Sequence, residues 1–242
     1  MDRIILAQNI LELTSGENYL EIGVSSGGSF IPIQAGRKWG VDPAYHLTRK
    51  RRLKYRVWSL LGLKEERLFR TTSDDFFARN QKMLSSYGVD VCLVDGLHTY
   101  EQALRDVLNT LSYLKPKGVI LLHDCNPVTE LMARPSNRIE DLMDVPGWDG
   151  SWSGDVWKAI VHLRALCPDL EVFVLDCDTG IGVVRKGSPE FSLPYSEADI
   201  RKMDYSVLDG NREQLLGLKS PEYVSDFLRS LRSQLVTANA AD

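Results

Sequence analysis

Cysteine is scarce, and its spacing suits neither a metal knuckle nor a disulfide framework. The 242 residues hold four cysteines, Cys92, Cys125, Cys167 and Cys177, with no CxxC among them. Two lie in or beside apolar runs, so they read as reduced thiols and the expected compartment is the cytoplasm. Long apolar runs are also missing: nothing approaches the roughly 20 residues needed to span a bilayer, so no membrane partner is expected. Residues Met1–Leu6 lack the extended apolar core and small-residue cleavage site of a signal peptide. Positive charge is not in excess either. The net charge of -4 argues against nucleic acid as a partner. The one basic run, Arg49 to Arg56, reads as a solvated helical face, because no aromatic or glycine pattern of an RNA module accompanies it. Internal repeats and low-complexity tracts are absent, and the composition leaves a homo-oligomer open.

What remains is the make-up of a soluble globular protein, 43% hydrophobic and 26% charged, with one large core. The stretch Tyr19-Leu20-Glu21-Ile22-Gly23-Val24-Ser25-Ser26-Gly27-Gly28 is an apolar strand that breaks into a glycine loop, as in the first βα turn of a nucleotide-binding sheet. The loop is expected to open a helix, with Pro32 tolerated in its first turn. A second strand, Lys38–Val41, ends at Asp42, about 20 residues beyond Gly23, the usual interval between a phosphate-side loop and a ribose-binding carboxylate. Arg67–Arg70 is an edge strand, and Thr71–Asp75 caps a further helix. Val89–Val94 and Val119–Leu122 are buried parallel strands ending in Asp95-Gly96-Leu97-His98 and His123-Asp124-Cys125-Asn126. Between them a helix carries Ala103, Val107, Leu108, Leu111 and Leu114 on one stripe.

Residues 127–153 are irregular and form a candidate lid. A helix follows, and then Glu171–Leu175 and Gly180–Val184, separated by only Asp176–Thr179. That gap is too short for a crossover, so the pair is an antiparallel hairpin. The reading is one α/β domain over 1–187, a doubly wound Rossmann-like sheet with helices on both faces, and a mainly helical extension over 188–242.

The loop does not spell GxGxxG, which counts against a nicotinamide-dependent oxidoreductase. The chain instead resembles the class I S-adenosylmethionine-dependent methyltransferases. The resemblance rests on Glu21-Ile22-Gly23 with its loop, Gly40-Val41-Asp42-Pro43, Asp95-Gly96-Leu97-His98-Thr99-Tyr100, Leu122-His123-Asp124 and the closing hairpin. It implies seven strands in the order 3-2-1-4-5-7-6, with the last antiparallel. It implies S-adenosylmethionine as cofactor, bordered by Glu21, Gly23, Ser25, Gly28, Asp42, Ser73, Asp74 and Asp95. The Asp-Gly-x-His-x-Tyr and Gly154-Asp155-Val156-Trp157-Lys158 stretches look most like enzymes that O-methylate small hydroxylated molecules such as sugars or phenols, some of them metal-dependent.

Asp95 and Asp124 end adjacent strands, where two carboxylates repel unless a proton or cation lies between them. A divalent metal such as Mg²⁺ held by Asp95 and Asp124 satisfies this, as do hydrogen-bonded carboxylates lining a dry site. The related catechol-type pattern has Asn directly after the second acid. Here Cys125 intervenes before Asn126, so the sequence names no third ligand. His98 is the expected general base, with Asp95 also at the catalytic centre. His123 is expected, by strand alternation, to point away from Asp124. A non-catalytic nucleotide-binding module of the same fold is the remaining alternative. An RNA methyltransferase is disfavoured, because no Asn/Asp-Pro-Pro-aromatic motif follows the fourth strand.

Overall fold

The computed structural model describes residues 1–48, 53 and 65–239, with side chains given up to residue 233. Helix α1 (Arg3–Thr14) is capped by Asp2, whose carboxylate accepts from Ile4 and Ile5 N–H. It leads into β1 (Asn18–Ile22). Then come β2 (Arg37–Val41), β3 (Glu65–Phe69), α2 (Ser73–Arg79), α3 (Gln81–Tyr87), β4 (Val89–Val94) and α4 (Tyr100–Leu111). The second half runs β5 (Leu114–Leu122), α5 (Trp157–Leu166), β6 (Leu170–Leu175), β7 (Ile181–Lys186), α6 (Glu197–Lys202), α7 (Tyr205–Leu216), β8 (Leu218–Lys219) and α8 (Tyr223–Asn239). The basic run over 49–56 lies outside the described residues, Leu53 apart. No described helix is long and apolar enough to cross a membrane.

The strands form one sheet in the order β3-β2-β1-β4-β5-β7-β6-β8. All pairings are parallel except those of β7, which runs against both β5 and β6. The expected order is therefore present, with one addition. The two-residue β8 pairs in parallel with β6, Val174 opposite Leu218 and Leu175 opposite Lys219, so the segment after residue 187 contributes to the same sheet. Side chains alternate across the strands and feed two cores. Leu20, Trp39, Cys92 and Ile120 face α4 and α5, whereas Tyr19, Val91, Leu93 and Leu121 face α1 and α8.

Two expectations about local structure fail. Leu108 is exposed and Leu114 already belongs to β5, so the α4 stripe is carried by Ala103, Val107 and Leu111. Nor does the glycine loop open a regular helix: residues 25–32 are turns. The reason lies beneath them. Pro32 brings no N–H, and the loop's carbonyls are met by a buried ammonium instead of helical donors. Lys38 Nζ donates to Phe30 O at 2.7 Å and Ile33 O at 3.0 Å, and pairs with buried Glu66 at 3.0 Å. Lys38→Met would leave the Glu66 charge without this partner. Together with the two lost carbonyl contacts, this is expected to cost about 1–3 kcal/mol, read by denaturant unfolding.

Candidate active site

The carboxyl ends of β1, β2 and β4 enclose a cleft of about 330 Å³. Gly23 makes their convergence feasible. Its φ is +92°, and a Cβ there would lie 1.9 Å from Asp95 O, so the ends of β1 and β4 meet backbone to backbone. Gly23 N–H donates to Val41 O at 2.8 Å and Asp95 N–H to Ile22 O at 2.8 Å, lacing the three strand ends together. Gly23, Ser25, Asp42, Ser73 and Asp95 line the cleft, so five of the eight cofactor residues expected from sequence are gathered in one place. Asp42 shapes the loop as well: Oδ2 accepts from Ser25 N–H at 2.7 Å and Oδ1 from Ala44 N–H at 2.6 Å.

The other three stand apart from the cleft. Glu21 is fully buried beneath the loop, accepting from Tyr19 Oη at 2.5 Å and Ser29 Oγ at 2.8 Å. Burial raises its pKa to about 7, even against those two hydrogen bonds. Asp74 faces Arg105 on α4, with Nε at 3.5 Å. Gly28 is exposed, and a Cβ there would find nothing nearer than Ser26 Oγ at 3.9 Å. Two lining residues escaped the sequence reading, Gln102 and Asp106. Gln102 Nε2 donates to Ser73 Oγ at 3.1 Å and Asp106 Oδ1 at 3.0 Å. Burial lifts the Asp106 carboxyl to about 6 despite hydrogen bonds from Ser73 and Gln102.

Next to the cleft, at the ends of β4 and β5, lies a cluster of acids and imidazoles. His98 Nε2 is 3.4 Å from Asp95 Oδ1 and 3.4 Å from Asp124 Oδ2. His123 Nδ1 is 3.1 Å from Asp95 Oδ1 and 3.0 Å from Asp124 Oδ2. The expectation that His123 turns away is therefore wrong. Regular strand ends at Leu122, and Asp124 has φ +61°, so side-chain alternation no longer applies. Asn126, the sequence's nearest counterpart to a third ligand, does face elsewhere. It donates to Asp176 Oδ1 at 2.9 Å and accepts from Arg212 Nη1 at 2.6 Å. Asp95, His98 and Asp124 each offer a donor atom within 4.8 Å of the others, a trio able to hold a metal ion.

An outer ring of contacts orients this cluster. His98 Nδ1 meets Trp152 O at 2.9 Å, and the two rings lie 4.9 Å apart. Asp124 Oδ1 accepts from Thr179 Oγ1 at 2.6 Å and Ser153 Oγ at 3.1 Å, which leaves Oδ2 to the histidines. His123 Nε2 is 3.2 Å from Thr179 Oγ1, 3.5 Å from Asp178 Oδ1 and 3.0 Å from Arg3 Nη1. Arg3, at the start of α1, donates to both Asp178 oxygens at 2.8 and 3.0 Å. Burial opposes a charge on His123, but hydrogen bonds to Asp124, Asp178 and Asp95 prevail and push its pKa up to about 11. Asp95 is likewise held well below the usual carboxylate range, because the hydrogen bonds from His123 and His98 outweigh its burial. Positive charge is favoured at this point.

Of these outer residues, Asp178 and Thr179 had a legible signal. Once the last two strands are read as a hairpin, its turn must lie at the carboxyl end of the sheet. Arg3 and Ser153 had none.

A family model described as a methyltransferase domain matches residues 20–125. Among solved structures, the chain is similar to cofactor-bound Rv0187 from MTB, with 12% identity over 78% of this chain and 82% of that one and a TM-score of 0.52. It is also similar to the O-methyltransferase from Bacillus cereus in complex with SAH, at 18% identity over 76% and 80% of the two chains, TM-score 0.48. A further similar structure is the O-methyltransferase TomG from Streptomyces achromogenes in complex with SAM, at 15% identity over 76% and 79%, TM-score 0.49. No curated protein sequence matches the chain. At 12% identity the likeness to the MTB protein is one of fold. The domain match and the sheet order, closed by the antiparallel β7, favour a methyltransferase domain over the oxidoreductase reading. Residues 20–125 thus match a methyltransferase domain, and the sheet, with its antiparallel β7, has the order of the Rossmann-like methyltransferase fold.

Proposed function

We propose that the enzyme methylates a hydroxyl oxygen of a small molecule such as a sugar or a phenol, with His98 as the general base. The observation that carries this reading is the orientation of His98. Its Nδ1, bound to Trp152 O at 2.9 Å, carries the proton. That leaves Nε2 directed at the space beside Asp95 and Asp124, next to the cofactor cleft, and in the neutral ring this nitrogen is the base. S-adenosylmethionine bound in the cleft would supply an electrophilic methyl group, the sulfur retaining the electron pair of the C–S bond as a neutral thioether. The acceptor oxygen forms the new C–O bond, and His98 Nε2 takes the hydroxyl proton. No residue of the chain forms a covalent intermediate; the protein orients the reactants and excludes water. Trp152, delivered by the 127–153 segment through Ser153 and Gly154 N–H bonds to Met132 O, roofs the base.

Asp95 and Asp124 are the acids that would hold a divalent cation such as Mg²⁺, and the convergence of oxygen and imidazole donors around them fits one. Such an ion would polarise the acceptor hydroxyl and ease its deprotonation. Within the cleft, Asp42 takes the ribose hydroxyls, while Ser25 and the backbone at Gly23 border the methionine portion.

Calorimetric titration with S-adenosylhomocysteine tests the cofactor site. The wild type should bind, and Asp42→Ala should lose at least about ten-fold in affinity, because hydrogen bonds to a charged acceptor are removed. Unchanged affinity in the variant would remove Asp42 from the site. For the acceptor, labelled S-adenosylmethionine offered with panels of hydroxylated sugars, phenols and amines is the test. Label recovered only on nitrogen would overturn the O-methylation reading.

A further inference from the structure

We infer that His123 is the third protein ligand of the cation held by Asp95 and Asp124, and that this donor set takes a first-row transition-metal dication in preference to Mg²⁺. The inference rests on the reading that Asp95 and Asp124 hold a cation. It answers the question left by Asn126, which faces Asp176 and Arg212.

Geometry is the first support. Donor atoms in neighbouring positions on a cation roughly 2.1 Å away stand about 3.0 Å apart in octahedral coordination and about 3.4 Å apart in tetrahedral coordination. His123 Nδ1 meets Asp95 Oδ1 at 3.1 Å and Asp124 Oδ2 at 3.0 Å. His98 Nε2 lies farther from both, at 3.4 Å.

The second support is the far side of each ligand. Metal-bound imidazoles and carboxylates are oriented by outer partners on their remaining atoms. Asp124 Oδ1 is taken by Thr179 and Ser153. Asp95 Oδ2 faces Arg3 Nε at 3.5 Å. His123 Nε2 faces Arg3 Nη1 at 3.0 Å, Thr179 Oγ1 at 3.2 Å and Asp178 Oδ1 at 3.5 Å, and Asp178 is itself pinned by Arg3. The outer face of His123 is thus held in place, and its Nδ1 is directed at Asp95 and Asp124, where a bound ion would displace the proton these carboxylates now accept.

Burial divides the two histidines. The His123 side chain is 9% exposed and that of His98 19%, beneath Trp152. The more enclosed ring is placed to ligate, and the more accessible one to meet an acceptor.

The preference for metal follows from the donors. Mg²⁺ selects oxygen and keeps much of its water, whereas an imidazole nitrogen suits Mn²⁺, Fe²⁺, Co²⁺ or Zn²⁺.

The test is calorimetry on the full chain, stripped with chelator and then titrated with Mn²⁺, Zn²⁺ and Mg²⁺, with S-adenosylhomocysteine titrated into the same samples. Wild type should bind Mn²⁺ or Zn²⁺ about 100-fold more tightly than Mg²⁺. His123→Ala should weaken Mn²⁺ by about 100-fold while keeping S-adenosylhomocysteine affinity, and His98→Ala should retain Mn²⁺ binding. If His123→Ala fails to bind S-adenosylhomocysteine, His123→Gln keeps the side-chain volume and serves instead. Loss of Mn²⁺ in His98→Ala but not in the His123 variants would overturn the assignment and leave the Asp95–Asp124 cation site standing. Equal affinity for Mg²⁺ would overturn the metal preference. A wild type that binds none of the three ions would remove the cation site as well, and its response to S-adenosylhomocysteine would still report on the cofactor site separately.

Discussion

Replacing His98 with alanine should lower methyl transfer by about 10²- to 10⁴-fold, the range supplied by a positioned general base. Binding of S-adenosylhomocysteine should be unaffected, because His98 does not line the cofactor cleft. A merely structural histidine would give the opposite pattern, with modest loss of rate and a fall in stability. His98 does have a structural tie through Nδ1 to Trp152 O, so His98→Gln is the informative partner variant. Glutamine offers an amide in place of the ring but cannot accept the proton at neutral pH. Rates should be comparably low in both variants. Restoration of more than a tenth of wild-type rate by glutamine would remove the base role.

Gly23→Ala should be the most damaging small substitution in the cleft. A methyl there would lie 1.9 Å from Asp95 O and 2.4 Å from its carbonyl carbon, both backbone atoms that cannot step aside. Residue 23 also has φ +92°, which an L side chain tolerates badly. Strain of this kind with forced repacking is expected to cost about 3 kcal/mol or more. In a domain of this size that corresponds to a fall in Tm of roughly 6–12 °C. Cofactor binding should go with it, since the β1 and β4 ends would be wedged apart. Gly28→Ala is the matched control: its φ is not in the left-handed region and its Cβ direction is open, so stability should stay within about 0.5 kcal/mol. Equal effects at the two glycines would show that the close approach at Gly23 is not what the loop depends on.

The architecture was legible because the sequence states it in elementary terms. Apolar runs such as Val89–Val94 have lengths only buried strands need, and four residues between Leu175 and Gly180 admit no crossover. From those facts the reversal of β7 follows, and with it the convergence of Asp42, Asp95 and Asp124 at one end. What escaped was set by backbone conformation and by partners distant in sequence. That Asp124 shares a side with His123 depends on the positive φ of Asp124, which no local sequence pattern specifies. The missing helix after the glycine loop depends on Lys38, whose ammonium reaches back to carbonyls eight and five residues earlier. Arg3 meets Asp178 across 175 positions of chain, and no local pattern encodes that. Glu21 shows the converse. Its place at the end of an apolar strand suggested a cofactor contact, whereas full burial and two hydroxyl donors make it a support beneath the loop.

The two-residue strand β8 has a consequence for how copies of this chain can meet. An open sheet edge presents unpaired N–H and C=O groups, the template for strand addition between molecules, for domain swapping and for fibrous aggregation. On the β6 side, β8 occupies the level of Val174 and Leu175, and Asp176 N–H is taken by Lys219 O at 2.9 Å. The chain then leaves through Pro221, which has no N–H to offer, and α8 packs Tyr223 and Phe227 edge-on against Phe173 at 5.4 Å each. At the level of Val174 and Leu175 that flank of the sheet is covered by the molecule's own C-terminal segment. Strand addition at Val174 and Leu175 would first have to displace β8.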